Sequence, residues 1–274
     1  MSAPECTLHE MLAVVLAREI RDGEVGFTGL ATGGPAALYA AAIPLAAMQL
    51  ARLTHAPNLT ILLAGWCMNP ELSRLAAMPD SEFDERLRDL PCEAQMTVYP
   101  GQYAHKRGDV DFGFSSGVQV DAVGNLNSVC VGDYKRPQVR LVGPILQPEH
   151  MAFFQREYIM MPHHERRNFV EKVDFISGVG YPGGIEGRKA LGLDWGGPEL
   201  VFTPKCLLGF DKEAGRIRVR SIHPGVTADN LRESTAFDLG GLDDVPETPS
   251  PTPEELDVLR HQVDPHRRLL PRAM

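Results

Sequence analysis

The residues with the most chemistry in a small space are Gln119, Asp121, Asn125 and Asn127, three amides and one carboxylate grouped around the glycine turn at Gly124. Neutral amides can hold a thioester carbonyl or a carboxylate without any change of protonation state. Asn-rich turns also form simply to satisfy their own backbone, so both roles stay open. Cys67, in AGWCMNP, follows the apolar run LTILLAG. Parallel-sheet enzymes place their chemistry just beyond the C-terminal strand ends, and a thiolate there is a candidate nucleophile. The alternative is a buried core thiol. Gly29-Leu30-Ala31-Thr32-Gly33-Gly34-Pro35 could cradle a phosphate with its backbone N–H groups, or merely turn the chain into a helix. His163 and His164 are adjacent, so they point in different directions on any regular element, and no further His, Cys or Asp set stands at ligand spacing. No metal site is expected.

These residues need elements to position them. Residues 8–21, LHEMLAVVLAREIR, gather Met11, Val14, Val15 and Ile20 on one side of a helix that ends at Asp22-Gly23. EVGFTGL then reads as a buried strand leading through the glycine turn into an Ala-rich helix, the start of a βαβ unit. LTILLAG is a continuous apolar run, which suits a strand covered on both faces of a parallel sheet. Further strands are expected in DVDFGFSSGVQVD, SVCVGDY, VRLVGPIL, REYIMM, VDFISGVGY, PELVFTPKCLLGFD and RIRVRSIHPG. Thr252 caps a final helix with Pro253 at its first position, after an exposed acidic linker at DDVPETPSP. The fold class expected is α/β, an open, mainly parallel sheet with flanking helices. Its domain covers residues 1–240, with the linker and C-terminal helix at 241–274.

Composition narrows the partners. Lys+Arg of 27 against Asp+Glu of 36 gives a net charge of −9, which argues against nucleic acid as the main partner. Hydrophobic residues at 43% are enough for a sizeable core. The longest apolar stretch, Ala36 to Leu53, is interrupted by Pro44, Gln49 and Arg52, so a core helix is expected and not a membrane span. Five scattered cysteines without a CxxC pair, and an N-terminus without a basic region before an apolar stretch, point to reduced thiols in the cytoplasm.

Three long segments, GVQVDAVGNLNSVCVGDYKRPQVRLVG, YIMMPHHERRNFVEKVDFISGVGY and PGGIEGRKALGLDWGGPELVFTPKCLLGFD, resemble in order and spacing the β subunits of the class I CoA-transferase superfamily, glutaconate CoA-transferase among them. The resemblance runs from residue 8 to 265, and SIHPGVTADNLRESTAFDL also resembles the β subunit of the cholesterol ring-cleaving hydrolase of that superfamily. It implies the CoA-transferase β-subunit type of fold, an α subunit of the same superfamily as partner, an α2β2 hetero-oligomer, and an acyl-CoA held between the subunits. No cofactor beyond the CoA thioester is implied. Gly65, Gln119, Asn125, Asn127 and Gly143 are expected to lie against that substrate. In transferases of this type a Glu at the end of the LTILLAG strand attacks the thioester; here that position holds Ala64, which cannot be a nucleophile. The glycine-rich loop after RLVG is altered as well, since Pro144 and Pro148 each remove a backbone donor. Both departures point to a heteromeric acyl-CoA hydrolase or lyase acting on a C–C bond with the thioester retained, its acid or base coming mainly from the α subunit. A CoA-transferase using another nucleophile, with Cys67 as candidate, and a non-catalytic structural subunit are the alternatives.

Overall fold

A computed structural model describes residues 5–30, 34–65, 67–82, 84–95, 108–144 and 146–270. The chain forms two compact units, one from Met1–Phe114 together with Pro249–Met274, the other from Ser115–Thr248. The division therefore differs from the expected boundary at residue 240, because the C-terminal segment returns to the first unit.

In the first unit, helix α1 (Leu8–Ala17) starts from a capping box in which Thr7 and Glu10 satisfy each other's backbone N–H. Strand β1 (Val25–Thr28) leads towards the long helix α2 (Gly34–Thr54). Helix α2 is apolar and long enough to cross a membrane, yet 61% of its most apolar window is buried inside the fold, against α1 and the sheet. A π turn at Leu38–Ala42 precedes Pro44. Pro44 has no N–H to give to the carbonyl one turn back, and that carbonyl, Ala40 O, accepts from Thr28 Oγ1 at 3.2 Å. Close packing of α2 on the sheet needs Gly26. A Cβ there would come within 2.7 Å of Met48 Sδ and 2.4 Å of the Phe112 ring.

Strand β2 (Thr60–Leu63) pairs parallel with β1, Thr28 opposite Leu63. Strand β3 (Cys67–Pro70) runs antiparallel to β2, and β4 (Cys92–Gln95) antiparallel to β3. A one-turn helix, α3 (Glu85–Arg88), is capped by Asp84. Strand β5 (Phe112–Ser115) lies parallel to β1 on its other side. The sheet of this unit is thus open with a parallel centre, as the continuous apolar runs imply, and an antiparallel edge.

The second unit folds around Val120, Leu126, Ile159, Phe169, Val201 and Leu208. Strands β6 (Gln119–Asp121) and β7 (Leu126–Asn127) form an antiparallel hairpin, and β8 (Cys130–Val131) pairs with β9 (Val139–Arg140). Helix α4 (Gln147–Phe153) leads into β10 (Arg156–Met160), while β11 (Phe169–Val170) lies parallel to β6. Helix α5 (Gly184–Ala190) precedes β12 (Pro198–Phe202), parallel to β10, and β13 (Cys206–Asp211) and β14 (Arg216–Ile222) complete an antiparallel edge before helix α6 (Ala228–Glu233).

Three expectations are corrected here. VDFISGVGY is not a strand; its contact with a ladder is the single bridge from Gly178 to Leu126. VRLVGPIL gives only the two-residue strand β9. The acidic segment is not a loose linker either, because Ile222 N donates to Pro246 O at 3.0 Å and Thr248 N to Ile222 O at 2.7 Å, pinning it along β14. After it, helix α7 (Pro253–Val258) starts from the Thr252 capping box and returns to the first unit, where Glu255 meets Arg18 at 2.6 Å.

Candidate functional site

Ala64 and Gly65 lie in the turn joining β2 to β3, where Leu63 faces Cys67. Ala64 N donates to Thr28 O at 2.8 Å, so the β1·β2 ladder runs right up to the turn. There Ala64 takes φ 56, a left-handed conformation unusual for a residue with a Cβ, and Gly65 follows at φ 76. Ala64 is also buried, at 3% exposure. The strand end is therefore held in a strained geometry around a methyl group that offers no chemistry. Strain of this kind collects at functional sites. Cys67 begins β3 and is fully buried; burial first, then the neighbouring Cys92, pushes its thiol up to about 12. Such a thiol carries almost no thiolate at neutral pH, which weakens it as a nucleophile.

Of the glycine turn at 29–35, residues 31–33 lie outside the described residues. Leu30 N donates to Glu82 Oε1 at 3.1 Å, so a carboxylate already takes the N–H that a phosphate would use.

The amides of the second unit meet protein partners. Asn127 Nδ2 donates to Gln119 Oε1 at 2.8 Å and to Cys130 O at 2.7 Å, while its Oδ1 accepts from Val129 N at 3.0 Å and Cys130 N at 3.3 Å. Every hydrogen-bonding position of that side chain is taken. Gln119 Oε1 also accepts from Asp174 N at 3.0 Å, and its Nε2 donates to Asp174 Oδ2 at 2.9 Å. Asn125 Nδ2 donates to Asp121 Oδ2 at 3.0 Å, and its Oδ1 accepts from Gly180 N at 3.0 Å. Burial raises the Asp121 carboxyl, and hydrogen bonds from Asn125 partly offset that rise. The sequence brings these four residues together as expected, but they brace a hairpin, and Asn127 has no donor left for a ligand.

Gly143 sits at φ 99 with open space around it, and its N–H points to Ser128 O at 3.3 Å. Three residues on, Leu146 is held at φ 27 immediately before α4. Ile145 lies outside the described residues. The loop thus keeps a strained backbone while its prolines and the Ser128 contact leave few donors for an oxyanion.

His163 is exposed and His164 buried, as adjacent residues should be. His164 stacks on Phe169 with centroids 3.8 Å apart and bonds to Thr203 Oγ1 at 2.9 Å and Thr235 Oγ1 at 3.1 Å. Among the described residues no group of three or more His, Cys, Asp and Glu is placed to hold a metal ion. A cavity of about 210 Å³ in the second unit is lined by Tyr181, Arg188, Trp195 and Lys212 among others. Arg188 is spent on the carbonyls of Val179, Gly180, Met151 and Trp195, and Lys212 on Glu199 at 2.6 Å, so the cavity has little charge left for an anion.

Sequence reasoning passed over Ser115, His150 and Glu157, which the second unit gathers together. The available signal was a glutamate ahead of the apolar residues Tyr158, Ile159 and Met160 in the strand REYIM.

No family model matches the chain. It is similar to the B subunit of 3-oxoadipate CoA-transferase from Pseudomonas knackmussii, with 32% identity over 92% of this chain and 91% of that one. The B subunit of glutaconate CoA-transferase from Acidaminococcus fermentans is 31% identical over 94% and 93%, and the cholesterol ring-cleaving hydrolase IpdB subunit of Rhodococcus jostii 29% identical over 82% and 83%. Among solved structures, glutaconate coenzyme A-transferase of A. fermentans matches with a TM-score of 0.80 at 28% identity, covering 99% of this chain and 100% of that one. The decarboxylase AibA/AibB matches with a TM-score of 0.77 at 25% identity over 97% and 98%.

Proposed function

This chain belongs to the CoA-transferase B-subunit family, and from that premise we propose that it is the β-type subunit of a two-component enzyme that breaks a C–C bond of an acyl-CoA and leaves the thioester intact. The observation that carries this reading is Ala64. By the family resemblance it takes the position of the transferases' nucleophilic Glu, and it lies in a left-handed turn at φ 56 without a carboxylate to offer. Ring opening and decarboxylation both fit, since each needs negative charge stabilised in conjugation with the thioester carbonyl but no acyl-enzyme. Relatives named for these two reactions, the ring-cleaving hydrolase and the decarboxylase, support it. The partner is an α subunit of the same superfamily, in an α2β2 assembly, with no cofactor beyond the CoA thioester. Five free cysteines suit a reducing compartment, the cytoplasm.

A second reading, transfer of CoA between carboxylic acids, is favoured by the identities of 32% and 31% to two transferase subunits. It needs a nucleophile elsewhere on this chain, and the high pKa of Cys67 tells against that residue. The two readings separate when the complex with its α subunit is incubated with an acyl-CoA and quenched with hydroxylamine or borohydride. The C–C cleavage reading expects no CoA adduct on this chain and no isotope exchange between the thioester and free acid. A trapped adduct, or such exchange, overturns it.

A further inference from the structure

Among the described residues eight large apolar side chains stand exposed, and four of them, Tyr134, Val139, Val142 and Ile176, gather in one part of the second unit. Val142 is 84% exposed and the other three about half. Single exposed apolar residues are ordinary, but a contiguous group of them marks a surface that meets a partner. The backbone makes this group contiguous. Residues 128–132 are tied to residues 139–141, with Cys130 opposite Arg140 and Leu141 N donating to Val129 O at 2.9 Å. The same residues are tied to 174–177, since Gly132 N donates to Asp174 Oδ2 at 2.9 Å and Ser128 N to Ser177 Oγ at 3.0 Å. Phe175 and Ile176 are thereby brought up to the hairpin that carries Tyr134 and Val139. Among the described residues, β9 pairs with no strand other than β8, so one edge of this hairpin is open.

The face is held in shape by its own contacts. Tyr134 stacks on Phe175 with centroids 5.2 Å apart. The Arg140 guanidinium lies over the same tyrosine ring at 4.8 Å, and its Nη2 donates to Tyr134 O at 2.8 Å. A large side chain that is already fixed loses little freedom on docking, and Tyr and Arg are the residues that most often anchor an interface. The charge around it is basic, from the exposed Lys135, Arg136 and Arg140. The two carboxylates beside them are occupied: Asp133 Oδ1 accepts from Lys135 N and Arg136 N at 2.9 and 3.1 Å, and Asp174 Oδ2 from Gly132 N and Gln119 Nε2, both at 2.9 Å. Two copies of this chain meeting through the same patch would set these cations against one another, whereas an acidic surface complements them.

We propose that the face formed by Tyr134, Val139, Val142 and Ile176 is where this chain docks its α subunit, on a partner surface that is apolar at its centre and acidic at its rim. The inference rests on the two-component reading above. Val142 directly precedes Gly143, the residue expected to lie against an acyl-CoA held between the subunits, so the face and that expectation meet in one loop.

The test is the strength of pairing. The complex co-expressed with its α subunit is diluted through its dissociation range, and the paired fraction is read by mass photometry. Val142→Glu and Ile176→Glu are each expected to raise the Kd by about tenfold or more, and the two together by about a hundredfold, because a charge is placed where water is excluded. Arg136→Glu is expected to weaken pairing at low salt and much less at high salt. Leu191→Glu, at an exposed leucine just after α5 and outside the patch, is expected to pair as the wild type does. If the Glu variants do not accumulate, the gentler Val142→Ser with Ile176→Ser serves, and is expected to raise the Kd by about tenfold. Patch variants that pair within about threefold of wild type overturn the inference and leave the two-component reading standing, as does a loss of pairing confined to Leu191→Glu. Variants that abolish self-association of this chain but keep its pairing with the α subunit give the face to a second copy, and overturn it too. A wild-type chain that does not pair with the α subunit overturns the two-component reading itself, and this inference with it.

Discussion

Replacing Ala64 by glycine separates backbone strain from chemistry. A residue with a Cβ in the left-handed region is destabilised by about 1–2 kcal/mol, and Ala64→Gly releases that. Against it stand the loss of one buried methyl, about 0.8 kcal/mol, and the extra freedom of glycine in the unfolded chain, about 0.5–1 kcal/mol. The two sides nearly cancel, so Ala64→Gly is expected to change stability by no more than about 0.5 kcal/mol. Ala46 is an internal control, a fully buried alanine inside α2. There no strain is released, so Ala46→Gly loses the methyl and the helix preference together, about 2 kcal/mol. Urea midpoints of the two variants, followed by circular dichroism, give the difference directly. Turnover of the complex is expected to be unchanged in Ala64→Gly, since the methyl does no chemistry. An Ala64→Gly variant as destabilised as Ala46→Gly refutes the strain assignment, and a loss of kcat/KM beyond about tenfold refutes the idea that this position is chemically silent.

Burial pushes His164 down to about 3, with Lys205 and His223 adding to the effect, and pushes His223 down to about 4. Both stay neutral in the fold while the unfolded chain binds protons below the ordinary value of 6.5, so their contribution is complete above pH 6.5 and is lost as pH falls towards 4. Urea midpoints between pH 7.5 and 5 are expected to fall by up to about 1.4 kcal/mol per pH unit for each histidine, and a His164→Gln variant with the wild-type slope contradicts this. Asn127→Ala is expected to lower stability by at least about 3 kcal/mol, since it leaves several buried partners unsatisfied; a stable variant with only a raised KM returns this amide to ligand binding. Glu10, held at about 2 by Arg260, Thr7 and Arg267 against the desolvation that opposes them, carries two arginine partners at 2.7 and 2.9 Å. Glu10→Gln is expected to lower the urea stability of the chain by about 3 kcal/mol, and a shift below about 0.5 kcal/mol contradicts a structural role for this cluster.

What could be read directly were the features written locally. The continuous run TILL gives a strand with its last three residues buried, and Thr252 caps the final helix as its position before Pro253 implies. The family resemblance located the turn at Ala64 because neighbouring residues carry the pattern. The partners of the amides were not legible in the same way. Their types and spacing were right, but what they bond to was settled by Asp174 and Gly180, each 55 residues away from its amide partner. No local pattern shows whether a side chain's hydrogen-bonding capacity is already used up. VDFISGVGY has strand composition, yet a single bridge to Leu126 is what it makes, because β propensity needs a partner edge to become a strand. Glu157, His150 and Ser115 come from three separate segments and meet only in the fold.

The return of the C-terminal segment to the first unit fixes an order of events during synthesis. The second unit is one continuous stretch, and all its contacts are available once residue 248 has left the ribosome. The first unit has to wait. Glu10 emerges among the earliest residues, but Arg260, its partner, follows 250 residues later. At translation rates of about 5–20 residues per second that is an interval of roughly 10–50 s. Throughout it, α1 holds a carboxylate destined for the interior without the arginines of the C-terminal segment to meet it. A nascent chain that stalls or is cut between residues 248 and 260 therefore has a complete second unit and an unfinished first one, the kind of half-built species that chaperones and proteases recognise.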